Sequence, residues 1–258
     1  MTRVWVFPDR NALARAAAER FVAAADEAVR ARGRFFVALA GGSTPRPAYR
    51  LLADPACASR VDWDRVHLFW GDERCVPPDH PESNYRMVRE ALLDRVPIPV
   101  ENVHRIRGEW PPEEAAAAYE AELRAIFGPD GRLDLVLLGL GADGHTASLF
   151  PGSAALDERE RWVAAVFADP VGTWRITLTP PALNGAREVL FLVVGKPKAE
   201  ALARVLAGWD LPAGRIRPRS GRLSWFVDRD AMGGGWMAGR GLELREGGVD
   251  VRSATERG

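Results

Sequence analysis

Short apolar runs of strand length recur along the chain, at residues 4–7, 35–39, 66–70, 133–138, 162–167, 174–178, 189–194 and 223–227. Between them lie longer stretches in which apolar residues return every three or four positions. In residues 11–31 these are Leu13, Ala17, Phe21, Ala24 and Ala28, so the spacing predicts a helix capped by Asp9 or Asn11 and ended by Gly33. Further helices are predicted at 47–52, 83–93, 113–127 and 199–206, and a short one after Thr179, a plausible cap. Residues 96–112 are proline-rich and read as irregular. Strands alternating with helices from end to end imply an α/β fold, a three-layer Rossmann-like arrangement with a mostly parallel sheet and helices on both faces; strand order stays open. The run 133–138 holds no turn residue, the pattern of a strand covered on both faces, and a central place in the sheet is expected for it. Residues 223–227 read as the last strand. The glycine-rich 229–258 segment is expected to be peripheral within a single domain spanning 1–258.

In a parallel sheet the carboxyl ends of all strands lie on one side, where open α/β sheets place their ligands. Four such ends carry chemistry. After 35–39 come Ala40, Gly41, Gly42, Ser43, Thr44 and Pro45: two glycines that let amides converge, two hydroxyls and a following helix start, together a small phosphate cradle. A simpler reading needs only Ser43 or Thr44 as a helix cap. After 66–70 come Gly71, Asp72, Glu73 and Arg74, which taken alone read as a solvated charged turn, with Asn84 in the first turn of the next helix. After 133–138 the glycines Gly139, Gly141 and Gly144 surround Asp143 and precede His145, the loop's one side chain able to exchange protons near neutral pH. After 189–194 come Lys196 and Lys198, equally placed, while Arg175 opens the run at 174–178.

Composition narrows the picture without adding to it. The chain has 35 Lys and Arg against 35 Asp and Glu, so nothing global points to nucleic acid or an anionic membrane, and any anion site must be built locally. No apolar segment is long enough to span a bilayer, and the amino terminus starts with a strand and not a signal peptide, so a cytoplasmic location is expected. Cys57 and Cys75 are isolated, and His67, His80, His104 and His145 lack metal-ligand spacing.

The ordered set of motifs resembles the 6-phosphogluconolactonase family. It consists of Leu39 through Pro45; Trp70 through Arg74 with Val76, Pro77, His80, Pro81, Ser83, Asn84 and Tyr85; Gly139 through Pro151; and Arg175, Ile176 and Thr177 with Gly195 and Lys198. The resemblance implies hydrolysis of 6-phosphogluconolactone in the oxidative pentose phosphate pathway without metal or organic cofactor, by a monomer or weak dimer. On that reading His145 is the base that activates water and Asp143 orients it. Gly41, Gly42, Ser43, Thr44, Asn84, Arg74, Arg175 and Lys198 are expected around the substrate and its phosphate. Asp72 either touches substrate or pairs with Arg74 to hold the loop. The related amino-sugar-phosphate deaminases place a catalytic Glu five residues after the loop His, where this chain has Phe150, and lack the Arg that stands here as Arg74. A sugar-phosphate sensor is the other alternative; it would normally carry a helix-turn-helix segment, for which the first strand leaves no room.

Overall fold

The computed structural model describes residues 2–128, 132–168, 172–233 and 243–246. The order of elements is β1 (Thr2–Phe7), α1 (Arg10–Arg32), β2 (Phe35–Leu39), α2 (Arg46–Leu52), α3 (Pro55–Ala58), β3 (Val66–Trp70), β4 (Asp72–Arg74), α4 (Asn84–Ala91), α5 (Pro112–Phe127), β5 (Leu135–Gly139), β6 (Val163–Ala168), β7 (Thr173–Leu178), α6 (Pro180–Gly185), β8 (Glu188–Val193), α7 (Ala199–Leu206), β9 (Arg222–Asp228), α8 (Arg229–Met232) and β10 (Glu243–Glu246). Seven strands form one sheet in the order β10-β1-β9-β8-β5-β2-β3. Every neighbouring pair in it is parallel.

Asp9 caps α1 through its carboxylate on the Ala12 amide at 2.8 Å, and Gly33 ends it in the left-handed region at φ 74°. All five residues of β2 and all six of β8 are buried, so both strands are covered on both faces. Successive residues of a strand point to opposite faces. Phe35 meets Phe21 of α1 edge-on at 5.3 Å, whereas Phe36 meets Phe127 of α5 at 5.0 Å. The two helices therefore lie on opposite faces, and the architecture is helix, sheet, helix. β5 is interior, between β8 and β2.

Three expectations are corrected. Residues 72–74 are not a solvated turn: they form β4, antiparallel to β7, in a separate three-stranded sheet of order β4-β7-β6. Here the chain leaves the parallel sheet at Gly71 and pairs again at once. Residues 223–227 are not the last strand, since β10 adds to β1 at the edge; the glycines from 234 to 241 lie outside the described residues. Neither Ser43 nor Thr44 caps α2, and Thr179 does not cap α6, its hydroxyl donating instead to the Arg161 carbonyl.

Two buried tyrosines close the ends of neighbouring strands. Just past β2, the Tyr49 hydroxyl accepts from the Ala40 amide at 3.0 Å and donates to the Ala40 carbonyl at 2.9 Å. At the end of β3, Tyr119 does the same for Trp70, at 2.9 and 3.1 Å. On β3 as well, His67 Nδ1 meets His104 Nε2 at 3.1 Å, and His104 Nδ1 meets Glu122 at 2.8 Å. Burial, then the nearby His104 and Arg34, push the His67 imidazole down to about 4.

Tyr49→Phe strands a buried amide and carbonyl and should cost about 1–3 kcal/mol in a urea titration. The unfolded chain takes up a proton on His67 near its ordinary value of 6.5 while the native fold resists until about 4, so stability is lost as pH falls through that window. The thermal midpoint of the wild type should drop more steeply there than that of His67→Phe.

Candidate active site

The carboxyl ends of β2, β3, β5 and β8 open onto one cleft of about 270 Å³. Its walls are residues 40–45 after β2; Gly71, Asp72 and Arg74 with Asn84 of α4; residues 137–141 and 145–147 at and beyond the end of β5; and Lys198 beyond β8. The structure thus brings together Gly41, Gly42, Ser43, Thr44, Asp72, Arg74, Asn84, His145 and Lys198. Lys196 and Arg175 are not among the lining residues.

Asp143 stands behind the histidine. Its Oδ1 lies 2.6 Å from His145 Nδ1 and 3.1 Å from the His145 amide. An ionised carboxylate only accepts hydrogen bonds, so Nδ1 is the donor of this pair, the tautomer that leaves Nε2 as the acceptor in a neutral imidazole. Burial works to raise the Asp143 carboxyl, but the His145 amide and imidazole outweigh it and hold it below the usual carboxylate range. Gly141 makes the pair possible: a Cβ there would sit 2.1 Å from Nδ1 and 2.5 Å from Asp143 Oδ1. Phe150 packs against the imidazole, the ring centroids 4.7 Å apart. Thr146 ties the loop to the end of β5 by donating to the Gly139 carbonyl at 2.8 Å.

The second wall is set by carboxylates. Glu73 is buried and accepts from the amides of Arg74, Asn84 and Tyr85 at 2.8, 2.7 and 2.8 Å and from the Ser83 hydroxyl at 3.0 Å. It joins β4 to the start of α4. Burial pushes its carboxyl up despite those donors. Asp72 does not ion-pair with Arg74. Its Oδ2 accepts from the Ser148 hydroxyl at 2.6 Å and its Oδ1 from Asn84 Nδ2 at 3.2 Å. Asn84 in turn leaves room only for hydrogen at Gly41, whose Cβ would fall 1.8 Å from Asn84 Oδ1.

Arg74 donates to the Glu82 carbonyl, and Arg175 lies directly across the β4–β7 ladder from it. One Arg175 terminal nitrogen is buried without a partner. Burial first, then Arg74, lowers the Arg175 guanidinium from its ordinary value, with Asp72 and Glu82 opposing. Among the described residues, no group of three or more His, Cys, Asp or Glu side chains is placed to hold a metal ion.

Glu73 and Ser148 escaped the sequence reading. A period-two reading of Asp72, Glu73 and Arg74 would have put Glu73 on the face opposite its neighbours, where it is found. Nothing local to Ser148 signals its partner, which is 76 residues away.

Residues 8–225 match the family described as glucosamine-6-phosphate isomerases/6-phosphogluconolactonase. The chain belongs to this family. Among members of the glucosamine-6-phosphate isomerase/6-phosphogluconolactonase family, it is 45% identical over 237 residues to a 6-phosphogluconolactonase of a Nostoc species, covering 88% of this chain and 96% of that one. It is 42% identical over 238 residues to that of Mycobacterium tuberculosis, covering 88% and 95%. The crystal structure of the Thermotoga maritima 6-phosphogluconolactonase superposes with a TM-score of 0.79 at 35% identity, covering 89% of this chain and all of that one.

Gly141→Ala should push His145 and Asp143 apart while leaving the sheet intact. In a variant that keeps its thermal midpoint within a few degrees, kcat should fall at least about 100-fold, the scale of losing a positioned base.

Proposed function

We propose that the protein hydrolyses 6-phospho-D-glucono-1,5-lactone to 6-phospho-D-gluconate, with His145 as general base and Asp143 holding it in the productive tautomer. The observation that carries this reading is the Asp143–His145 pair at 2.6 Å on one wall of a cleft whose other walls hold the residue 41–44 loop, Arg74 and Lys198. The similarity to proteins named 6-phosphogluconolactonase supports the choice of substrate.

A lactone is an activated ester, so the chemistry needs neither a metal nor an organic cofactor: a base for water, donors for the oxyanion and a grip on the phosphate suffice. Water attacks C1 as Nε2 takes its proton. The tetrahedral intermediate then collapses, the bond from C1 to the ring oxygen breaks, and the imidazolium returns the proton to that oxygen, leaving the open-chain acid. The positive charge formed on the ring during attack is stabilised by Asp143. At the far end of the substrate, the amides and hydroxyls of Gly42, Ser43 and Thr44 hold the phosphate. Arg74 and Lys198 neutralise it, with Arg175 behind Arg74 adding to the positive potential. That Lys198 lines the cleft and Lys196 does not supports Lys198 as the phosphate contact.

The reaction belongs to the oxidative pentose phosphate pathway. On this reading the enzyme acts in the cytoplasm, as a monomer or weak dimer. A deaminase needs a further proton carrier near the histidine, and Phe150 fills that side with an apolar ring.

Freshly generated 6-phosphogluconolactone should disappear faster with the purified protein than by its spontaneous hydrolysis, and glucosamine 6-phosphate should release no ammonia. His145→Ala should lower kcat by about 10²–10⁴-fold. Lys198→Ala and Arg74→Ala should each raise KM for the phosphorylated lactone by about 10-fold or more, the scale of losing a charge-assisted contact, while Lys196→Ala stays within about 3-fold. Unchanged KM in both cleft variants would remove the phosphate assignment.

A further inference from the structure

The proton-transfer half of the cleft stands on the loop after β5, whereas Arg74 of the phosphate half stands on β4, in a different sheet. Among the described residues, one side-chain hydrogen bond joins that loop to β4: Ser148 Oγ to Asp72 Oδ2, at 2.6 Å. We propose that Ser148 is a positioning residue which, through Asp72, sets the spacing between the His145 imidazole and the cationic phosphate pocket. The bridge would thereby fit the cleft to a lactone whose carbonyl and phosphate sit at opposite ends of a six-carbon chain. This inference rests on the lactonase reading of the cleft.

Three features make the link specific. Ser148 is buried, and its amide donates to Thr177 Oγ1 on β7 at 3.2 Å, so its hydroxyl is aimed at Asp72 from a fixed backbone. Between His145 and Ser148 lies Ala147 at φ 48°, a left-handed conformation that an L side chain resists and that persists only where its surroundings over-determine it. Thr146 on the Gly139 carbonyl holds one side of Ala147 and Ser148 on Asp72 holds the other. Losing the hydroxyl leaves Ser148 held by its amide alone, and the strain at Ala147 then shifts the backbone that carries His145. On the other wall, Asp72 also takes Asn84 Nδ2, and Asn84 abuts Gly41, so the bridge reaches the phosphate loop in two further steps.

The test compares the wild-type chain with Ser148→Ala, Asp72→Ala and the double variant, measuring kcat and KM for 6-phosphogluconolactone, competitive inhibition by inorganic phosphate, and the thermal midpoint. Ser148→Ala should lose about 10–100-fold in kcat, the scale of a misplacement near 1 Å, with KM and phosphate inhibition held within about 3-fold because the phosphate half stays whole. The double variant should be no more than about 3-fold slower than the slower single variant, since both substitutions remove one bridge. Wild-type kcat in Ser148→Ala, multiplying losses in the double variant, or phosphate inhibition weakened in step with kcat would each overturn the proposal. If Ser148→Ala fails to fold, Ser148→Cys keeps the side chain's place, weakens the hydrogen bond and takes over the same comparison. A wild type that leaves the lactone untouched removes the lactonase reading and the bridge's role with it. An active wild type with an equally active Ser148 variant removes the bridge alone.

Discussion

A strand that leaves a parallel sheet abandons its ladder, and the backbone groups it carries into the interior need new partners. The cleft is built from the answers to that requirement. Tyr49 serves the Ala40 amide and carbonyl beyond β2, Tyr119 those of Trp70 at the end of β3, and Thr146 the Gly139 carbonyl at the end of β5. Beyond β8, Asp228 accepts from the Gly195 amide at 2.9 Å. Tyr49, Tyr119 and Asp228 come from other elements, α2, α5 and β9, so satisfying the backbone also ties these strand ends to their surroundings, while Thr146 folds its own loop back onto β5. Loops with functional residues inherit the rigidity of the sheet they leave.

The charge balance of the chain hides how unevenly charge is arranged. Around the cleft, Arg74, Arg175 and Lys198 face few free carboxylates. Glu73 is committed to three amides and a hydroxyl, and Asp72 to Ser148 and Asn84. Those carboxylates stabilise loops and the start of a helix where they would otherwise neutralise the guanidinium groups. The result is a local surplus of positive potential beside the imidazole, an arrangement suited to a dianionic substrate that must be held by one end and attacked at the other.

Much of this was legible before any coordinates. Apolar periodicity located nearly all the strands and long helices, because burial on both faces leaves an uninterrupted run, as in β2 and β8, and burial on one helical face leaves a repeating one, as in α1. Asp143 and His145 stood out because two residues of spacing in a glycine-rich turn is short enough for the local backbone to decide their contact. Asp72, Glu73 and Arg74 were misread as a turn since three charges in a row look solvated; the pairing with β7 that makes them a strand comes from about a hundred residues away. The edge strand β10 was missed because pairing with β1, and not hydrophobicity, is what places it.

The order of residues by itself determined most of the strands and the long helices, the composition of each loop, and which proton-exchanging and cationic side chains those loops carry. Those properties follow from short-range periodicity and side-chain chemistry. Tertiary structure decided which lysine lines the cleft, that Asp72 bonds to Ser148 and Asn84 in place of Arg74, and that Arg175 stands across the ladder from Arg74 and not in the cleft lining. Such choices depend on strand order, on how two sheets meet, and on contacts between residues far apart in the chain, where a shift of one register position changes every neighbour and local pattern carries no record of the outcome.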